Sequence, residues 1–267
     1  MKKTLLFTAI AAVALAGCSA QDTNFSTNQK SEIEKIASQY IIDHPEVLVK
    51  ASQNLQKQQQ EKQAAQAVIQ HSNQLLHDPK TPFVGPKDAA VNVVEFFDYQ
   101  CIYCSKLSPV VRELQKENPD VKFIYKETPI FGMRWAPSLY AADMGNWIFA
   151  QKGSSVFNKY HDAMFESGQV EGKMNKQDVD AAAKKAGVDV SKFKSDKSYM
   201  ENLQLFSELA FRGTPSLVVM PTTGATAENV KVIAGYDPAG LKAAIASVKA
   251  QAIKAPVKSA KSATNAS

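Results

Sequence analysis

The middle of the chain alternates short apolar runs with longer segments of helical periodicity. Residues 90–97 form a β-branched and aromatic run that predicts a buried strand, and residues 121–126 predict a second one. Between them, residues 101–118 carry Leu and Val at helical spacing. A strand, a helix and a strand within about 40 residues predict a parallel β-α-β unit.

A helical block at about residues 135–211 interrupts these strands. Apolar runs at 216–220 and 230–234 then predict two further strands, and residues 238–252 predict a closing helix. The predicted class is therefore α/β with an inserted α-helical domain. Within the block, apolar spacing predicts four helices, at 136–151, 156–166, 176–186 and 191–210.

An N-terminal segment at residues 31–78 predicts two helices that meet at Asp43-His44-Pro45. The second helix could extend to about His77, and Gln fills nine of its 22 positions from Gln53 to Gln74, which leaves a thin apolar stripe. Such a stripe can be buried against the same helix of a second copy. We therefore expect a homodimerisation stalk, and packing of the helix on its own globular domain is the alternative. Pro79 and Pro82 end the helix and place the predicted catalytic domain at residues 83–252.

Residues 1–17 have the pattern of a secretory signal, with a basic start and an apolar run of 12 residues that is too short to span a bilayer. Its end, Leu15-Ala16-Gly17-Cys18, resembles the bacterial lipobox, so we expect Cys18 to be lipidated. The alternative is cleavage near Ala20 with Cys18 unmodified. Polar residues 18–30 predict a flexible tether, and residues 253–267 predict a disordered tail.

Composition supports a folded, exported protein. The 267 residues are 45% hydrophobic and 21% charged, which excludes a chain that is disordered throughout. Formal net charge is +5, and it falls to 29 − 26 = +3 without Lys2 and Lys3 of the predicted signal. That excess is too small to indicate nucleic-acid binding.

Cysteine usage points to redox chemistry. After Cys18, the two remaining cysteines are Cys101 and Cys104. A disulfide between them would close a very short loop and remove little chain entropy, so the pair is better suited to chemistry than to stabilisation. At the start of a helix, free backbone N–H groups favour a thiolate. We therefore predict that Cys101 is an exposed nucleophile and that Cys104 attacks the mixed disulfide formed on it, with no cofactor required.

Metal and haem sites are poor alternatives for this Cys-x-x-Cys. A zinc site needs four ligands, and His161 is the one histidine of the predicted catalytic domain. Haem attachment would need a histidine where Ser105 stands.

Glu95 interrupts the first strand six residues before Cys101. Alternation places its side chain on the face of Val91 and Val93, where a partly buried carboxylate could relay the proton of Cys104. Lys126 on the neighbouring strand could pair with it. The alternative is a solvated residue at the edge of the sheet.

Together, the segment Glu95–Cys104, the inserted helical block and Gly213-Thr214-Pro215 resemble the DsbA-like family of bacterial thiol-disulfide oxidoreductases. The likeness covers about residues 83–252. The N-terminal Asp43-His44-Pro45 followed by the Gln-rich helix is similar to the lipoprotein, outer-membrane-associated branch with a dimerisation segment.

The resemblance implies a thioredoxin fold that exchanges disulfides with unfolded or misfolded exported proteins in the periplasm and is recycled by an inner-membrane redox partner. It also implies that Pro215 is a cis proline beside the sulfurs and that Thr214 offers its backbone to substrates. Ile102 and Tyr103 depart from the Pro-His of the strongest oxidants and supply no cation, so a less stabilised thiolate is expected. The branch implies attachment to the outer membrane by lipid only.

Two functions remain open at this stage. The leading hypothesis is an oxidase, an isomerase or both. The alternative is a lipid-anchored peptide-binding chaperone or surface antigen in which the two cysteines form a static bridge.

Overall fold

The central strand of the protein is β2 (Val91–Phe97), and all seven of its residues are buried. The computed structural model describes residues 25–254. Strand β2 lies in a five-stranded sheet of order β1-β3-β2-β4-β5 and pairs in parallel with β3 and antiparallel with β4. The remaining strands are β1 (Phe83–Val84), β3 (Val121–Glu127), β4 (Ser216–Pro221) and β5 (Lys231–Ala234). The predicted parallel unit and α/β class are confirmed, and β1 was not predicted because two residues are too few to show alternation.

Nine α-helices form within residues 25–254. Their bounds are α1 (Thr27–Asp43), α2 (Glu46–Gln70), α3 (Ser72–Leu76), α4 (Ile102–Glu117), α5 (Pro137–Lys152), α6 (Ser154–Glu166), α7 (Lys176–Lys185), α8 (Tyr199–Glu208) and α9 (Pro238–Lys254).

The alternation of β2 divides the core into two clusters. Val91, Val93 and Phe97 face α4, α9 and the inserted helices α5 to α7. Val94 and Phe96 point the other way, toward α8, α3 and the end of α2. Each face of the sheet is therefore dry, which is typical of a β-α-β unit in an α/β protein.

The last predicted helix of the inserted block, at 191–210, is shorter than expected. A short 3-10 helix at Val190–Lys192 is followed by a loop, and α8 begins only at Tyr199. Lys197 in that loop has a left-handed backbone (φ 54°), and its N–H donates to Asp143 Oδ1 of α5 at 3.0 Å. The loop is thus held by a polar contact that helical periodicity does not encode.

Residues 25–54 form one structural unit. Helix α1 starts at Thr27 because Ser26 and Gln29 make a capping box, so the predicted tether of residues 18–30 is wrong for its last four residues. The helix ends at Asp43, as predicted, and α2 starts at Glu46. No residue of this unit is buried, and Ile33, Ile36 and Tyr40 are among its exposed apolar side chains.

The second unit starts at Leu55, well before the predicted domain start at residue 83. Ala65 and Val68 of α2 and Leu75 and Leu76 of α3 are buried in the cluster that contains Phe96. The alternative of packing on the chain's own domain therefore holds for residues 65–76. His71 separates α2 from α3 in place of one helix running to residue 77.

Several predictions lie outside the described residues, namely the signal peptide, the lipidation of Cys18 and the tail from residue 255. The tail was predicted from residue 253, whereas α9 continues to Lys254. Between residues 25 and 254, no helix is both long and apolar enough to cross a membrane.

Candidate active site

Cys101 is the N-cap residue of α4, at the point where the chain leaves β2 and enters the helix. Its own N–H donates to Asp98 O at 3.0 Å, and its carbonyl accepts from Ser105 N at 3.0 Å. No side chain caps the helix, so the first N–H groups of α4 are available to the sulfur of Cys101. The predicted placement of the cysteine at a helix start is what the structure shows.

The surroundings of Cys101 favour its thiolate. They lower the pKa of the thiol from 9.0 to about 6. The largest cause is a hydrogen bond from the Cys104 thiol, and burial opposes it. The Thr214 side chain and the N–H groups of Cys104 and Tyr103 lower the pKa further. Ile102 and Tyr103 contribute no charge, so the thiolate is stabilised by hydrogen bonds alone.

Cys101 is less exposed than the sequence suggested. Only 4% of its surface is accessible, and Cys104 has none. The sulfur of Cys101 lies 3.1 Å from Thr214 O, so the segment before β4 covers part of it.

Cys104 and Glu95 lie behind Cys101, and both are buried. Burial, the hydrogen bond to Cys101 and its charge raise the pKa of the Cys104 thiol well above 9.0. Burial raises the pKa of Glu95 to about 8, with a smaller contribution from the Cys101 charge. Glu95 is 3% exposed on the central strand, which rules out a solvated edge position.

The predicted pair of Glu95 with Lys126 does not form. The parallel register sets Glu95 opposite Tyr125, so Lys126 points to the other face of the sheet. There its ammonium donates to Thr81 Oγ1 at 2.7 Å and to Asp78 Oδ2 at 3.2 Å. Among residues 25–254, no cation lies within ion-pair distance of Glu95, and burial is the largest cause of its raised pKa.

Thr214 and Pro215 lie where the resemblance implied. The Thr214-Pro215 peptide is cis, and Thr214 O contacts the sulfur of Cys101. The Thr214 hydroxyl is buried and accepts or donates no hydrogen bond within the described residues. It is therefore free to donate to a thiolate at Cys101.

A polar cluster next to the site was not predicted. The Tyr99 hydroxyl lies 3.1 Å from Glu127 Oε1 and 3.2 Å from His161 Nδ1, and all three residues are buried. Burial raises the pKa of Glu127 well above 4.5, and it lowers that of His161 to about 3, so the imidazole is neutral near pH 7. A carboxylate at the very end of an apolar strand was the available sequence signal for Glu127.

Asp98 fixes the turn between β2 and α4. Its buried carboxylate accepts from Gln100 N at 2.8 Å, from Phe131 N at 2.9 Å and from Ser138 Oγ at 2.7 Å. These bonds join the turn before Cys101 to the loop after β3. Within residues 25–254, no three His, Cys, Asp or Glu side chains are grouped so that they could hold a metal ion.

Comparison with known proteins identifies the family. The DSBA-like thioredoxin domain model matches residues 92–246, which include both cysteines, Glu95 and Pro215. The chain belongs to the DsbA-like thioredoxin domain family. It is a thiol-disulfide oxidoreductase, as the resemblance implied. A second model, the N-terminal domain of the copper resistance protein ScsC, matches residues 29–62.

Solved structures of DsbA-like proteins agree with this assignment. BcfH of Salmonella enterica Typhimurium is 36% identical over 83% of this chain and 96% of its own, with a TM-score of 0.66. The catalytic domain of Proteus mirabilis ScsC is 25% identical over 71% of this chain and 99% of its own, with a TM-score of 0.57. A periplasmic thioredoxin-like protein from Salmonella enterica serovar Typhimurium is 25% identical over 68% of this chain and 95% of its own, with a TM-score of 0.55.

Two curated proteins match over a part of their length only. They are the Na(+)/H(+) antiporters NhaA 1 of Salinispora arenicola and NhaA 3 of Salinispora tropica, at 26% and 39% identity. The matches cover 44% and 20% of this DsbA-like chain, and 17% and 8% of the antiporters. We propose no ion transport from them.

Proposed function

We propose that Cys101 is the nucleophile and Cys104 the resolving cysteine of a periplasmic oxidoreductase that acts on exported proteins. The observation that carries the proposal is the contrast between the two sulfurs. Cys101 lies at a helix start with its pKa lowered to about 6, whereas burial raises that of Cys104. At pH 7 the first is a thiolate and the second a thiol.

In the oxidising direction, a substrate thiolate attacks Cys101 Sγ of the Cys101–Cys104 disulfide. A bond forms between the substrate sulfur and Cys101, and Cys104 leaves as a thiolate that must take a proton. A second substrate thiolate then attacks the first substrate sulfur, and Cys101 leaves as a thiolate. The substrate gains a disulfide, and the enzyme retains both electrons as its dithiol.

Glu95 is the proposed proton partner of Cys104. Because its pKa is raised to about 8, Glu95 is mostly protonated at pH 7 and can protonate the departing Cys104 thiolate, directly or through water. In the reverse direction its carboxylate takes the proton back when Cys104 attacks. A buried acid with a pKa near the working pH serves both directions.

Thr214 and Pro215 are proposed to receive the substrate backbone. Thr214 O already lies 3.1 Å from the sulfur that reacts. An extended peptide laid along this segment would bring its own cysteine to the accessible edge of Cys101. Pro215 offers no N–H there, so it does not compete for the peptide carbonyls.

The redox direction follows from how strongly the thiolate is stabilised. A pKa of about 6 in place of 9.0 stabilises the reduced form by about 1.4 kcal/mol at pH 7, or about 30 mV. The pKa of about 6 for Cys101 lies between that of thioredoxin, about 7, and that of DsbA, about 3.5. We propose an enzyme of intermediate reduction potential. It works as an oxidase when its inner-membrane redox partner keeps the Cys101–Cys104 disulfide formed, and as an isomerase when the partner keeps Cys101 reduced.

The N-terminal segment is proposed to join two copies into a homodimer. It was predicted at residues 31–78, but residues 65–76 are used within the chain, so the exposed apolar side chains of residues 25–55 are the ones available. They include Ile33, Ile36, Ile41, Leu48 and Leu55. Deleting residues 31–54 should give a monomer that keeps oxidase activity and loses isomerase activity. A deletion variant of unchanged mass in light scattering would contradict this.

Attachment to the outer membrane through a lipid on Cys18 is proposed from the lipobox-like Leu15-Ala16-Gly17-Cys18. Cys18→Ser should release the protein from the membrane fraction of cells that make it. Mass spectrometry of the N-terminal peptide distinguishes a lipidated Cys18 from cleavage near Ala20.

The test of the central proposal is capture of reaction intermediates. Cys104→Ala should accumulate mixed disulfides on Cys101 when mixed with a scrambled, disulfide-bonded substrate, because the resolving step is missing. Cys101→Ala should form none, and Ser105→Ala is the matched control with both sulfurs present. Absence of trapped partners on a non-reducing gel would contradict exchange at Cys101. If the two cysteines form a static bridge, a redox titration should instead give a reduction potential below about −300 mV for their disulfide.

A further inference from the structure

A pocket lies on the face of the sheet opposite to Glu95. It has a volume of about 390 Å³. Its walls come from α3, the loop that follows it, β1 and β3, and one side is apolar, with Leu75, Leu76, Phe83 and Ile124. The other side is polar and includes Lys122 and Lys87, so two cationic side chains lie next to an apolar wall.

Lys122 lacks the partner that a buried cation usually has. The residue is 9% exposed, and its ammonium makes one hydrogen bond, to Leu76 O at 3.3 Å. It also lies 4.6 Å from the centre of the Phe83 ring. Among residues 25–254, no carboxylate lies within ion-pair distance of Lys122. Two of its three N–H donors are thus available to a group inside the pocket.

Lys126 provides an internal comparison. It lies four residues further along β3, on the same face, and is also buried. Its ammonium has three acceptors, namely Gln74 O at 2.9 Å, Thr81 Oγ1 at 2.7 Å and Asp78 Oδ2 at 3.2 Å. The fold therefore compensates one of two equivalent lysines and leaves the other open. Buried charges are normally paired, so the open one indicates a missing anion.

The other charged groups at the pocket do not supply that anion. Asp78 lies on the wall, but its carboxylate is engaged by Lys126, by the Thr81 hydroxyl and by Lys80 N. Lys87 is exposed and adds positive charge, and burial together with Lys87 lowers the pKa of Lys122. This direction is expected for an ammonium group that has lost water and gained no anion.

We propose that this cavity, the Lys122 pocket, binds a small organic carboxylate with an apolar body. The carboxylate accepts from the Lys122 ammonium, and Lys87 adds attraction at the rim. The apolar body packs against Leu75, Phe83 and Ile124. The size is at the lower end of small-molecule sites, which suits an acid of a few carbons. The site lies apart from the cysteines and is independent of the disulfide exchange proposed above.

The test is a titration of the ¹⁵N-labelled protein with sodium hexanoate, followed by amide chemical shifts. Hexanoate should move the amides of Leu76, Phe83 and Lys122, and 1-hexanol and inorganic phosphate should bind at least about tenfold more weakly. Lys122→Met, which keeps length without charge, should weaken hexanoate about tenfold or more. Lys87→Gln should weaken it by about two- to fivefold. Lys159→Gln, an exposed lysine of α6, is the control and should leave binding unchanged.

A structural role for Lys122 gives different results. In that case, hexanoate causes no shifts confined to these amides, and Lys122→Met lowers stability toward urea. Equal binding of hexanol, or unchanged affinity in Lys122→Met, would also overturn the proposal. Should Lys122→Met not fold, the comparison of hexanoate with hexanol and the Lys87→Gln variant decide the question on the intact pocket.

Discussion

Replacing Glu95 with Gln should change how stability depends on pH. Burial raises the pKa of Glu95 to about 8 in the folded chain, against 4.5 when the carboxyl is in water. Between these values the unfolded chain has released a proton that the folded chain still holds. Stability present below pH 4.5 is therefore lost as pH rises toward 8.

The size of the effect follows from the pKa difference of about 3.5. At 1.36 kcal/mol per unit, the loss of folding free energy that Glu95 causes is about 3 kcal/mol by pH 7. Glu95→Gln removes this ionisation, so its stability should fall less between pH 5 and pH 8 than that of the wild type. The isosteric amide keeps the volume of the side chain, so the core packing is preserved.

The assay is urea unfolding of both proteins in their oxidised form at several pH values. With the Cys101–Cys104 disulfide formed, neither thiol titrates, and the remaining difference in slope belongs to Glu95. Glu113→Gln, on the exposed surface of α4, is the control and should follow the wild type. The comparison uses slopes, because a buried amide can also change stability at every pH.

Parallel curves for the wild type and Glu95→Gln across pH 5 to 8 would refute this reasoning. They would mean that the folded protein holds Glu95 ionised, with a compensating partner. The proposed proton transfer to Cys104 would then lose its donor at pH 7.

Three further predictions concern Thr214, His161 and Leu75. Thr214→Val should raise the pH midpoint of Cys101 alkylation, because a hydroxyl that stabilises the thiolate is lost. Thr214→Ser keeps the hydroxyl and should keep the midpoint. An unchanged midpoint in the valine variant would show that the hydroxyl does not stabilise the thiolate. His161→Phe should reduce the loss of stability toward acid, because the folded chain holds the histidine pKa at about 3 while the unfolded chain takes a proton near 6.5. In urea unfolding, the acid-induced loss of folding free energy down to pH 4.5 should be about 2 to 3 kcal/mol smaller in the variant than in the wild type. Equal acid sensitivity of the two proteins would count against it. Leu75→Ala should lower the free energy of unfolding of the full chain by about 2 to 5 kcal/mol because its side chain is buried, whereas Leu48→Ala, at an exposed position of α2, should leave it unchanged at low protein concentration. Similar losses for the two variants would contradict the packing of α3.

Local pattern predicted the elements that place the sulfurs. The apolar run of β2 and the helical spacing after Cys101 are local signals, and both elements formed within a residue or two of the expected bounds. The burial of Glu95 also followed from alternation, because a strand residue must face one side or the other. Its position on the central strand then made that burial complete.

The register between strands and the burial that depends on distant residues could not be predicted from local sequence patterns. Lys126 was expected beside Glu95. The parallel register instead sets Tyr125 opposite Glu95, so Lys126 points to the other face of the sheet. A register shift of one residue is enough to exchange the two faces, and the sequence does not fix that register. The apolar stripe of α2 and α3 had the same difficulty. Leu48 and Leu75 both belong to the thin apolar stripe, and the sequence does not distinguish them. In the structure, Leu75 is buried in the cluster around Phe96, whereas Leu48 is exposed. The small accessible surface of Cys101 depends likewise on the Thr214 segment, which is 113 residues away.

The most direct test of the account is the pH dependence of thiol alkylation in the reduced protein, with the modified residue identified by mass spectrometry. Rapid modification should occur at Cys101 with a midpoint near pH 6, and Cys104 should stay unmodified until the chain unfolds. A midpoint near 9, or modification of Cys104 before Cys101, would contradict the assignment of Cys101 as the nucleophile.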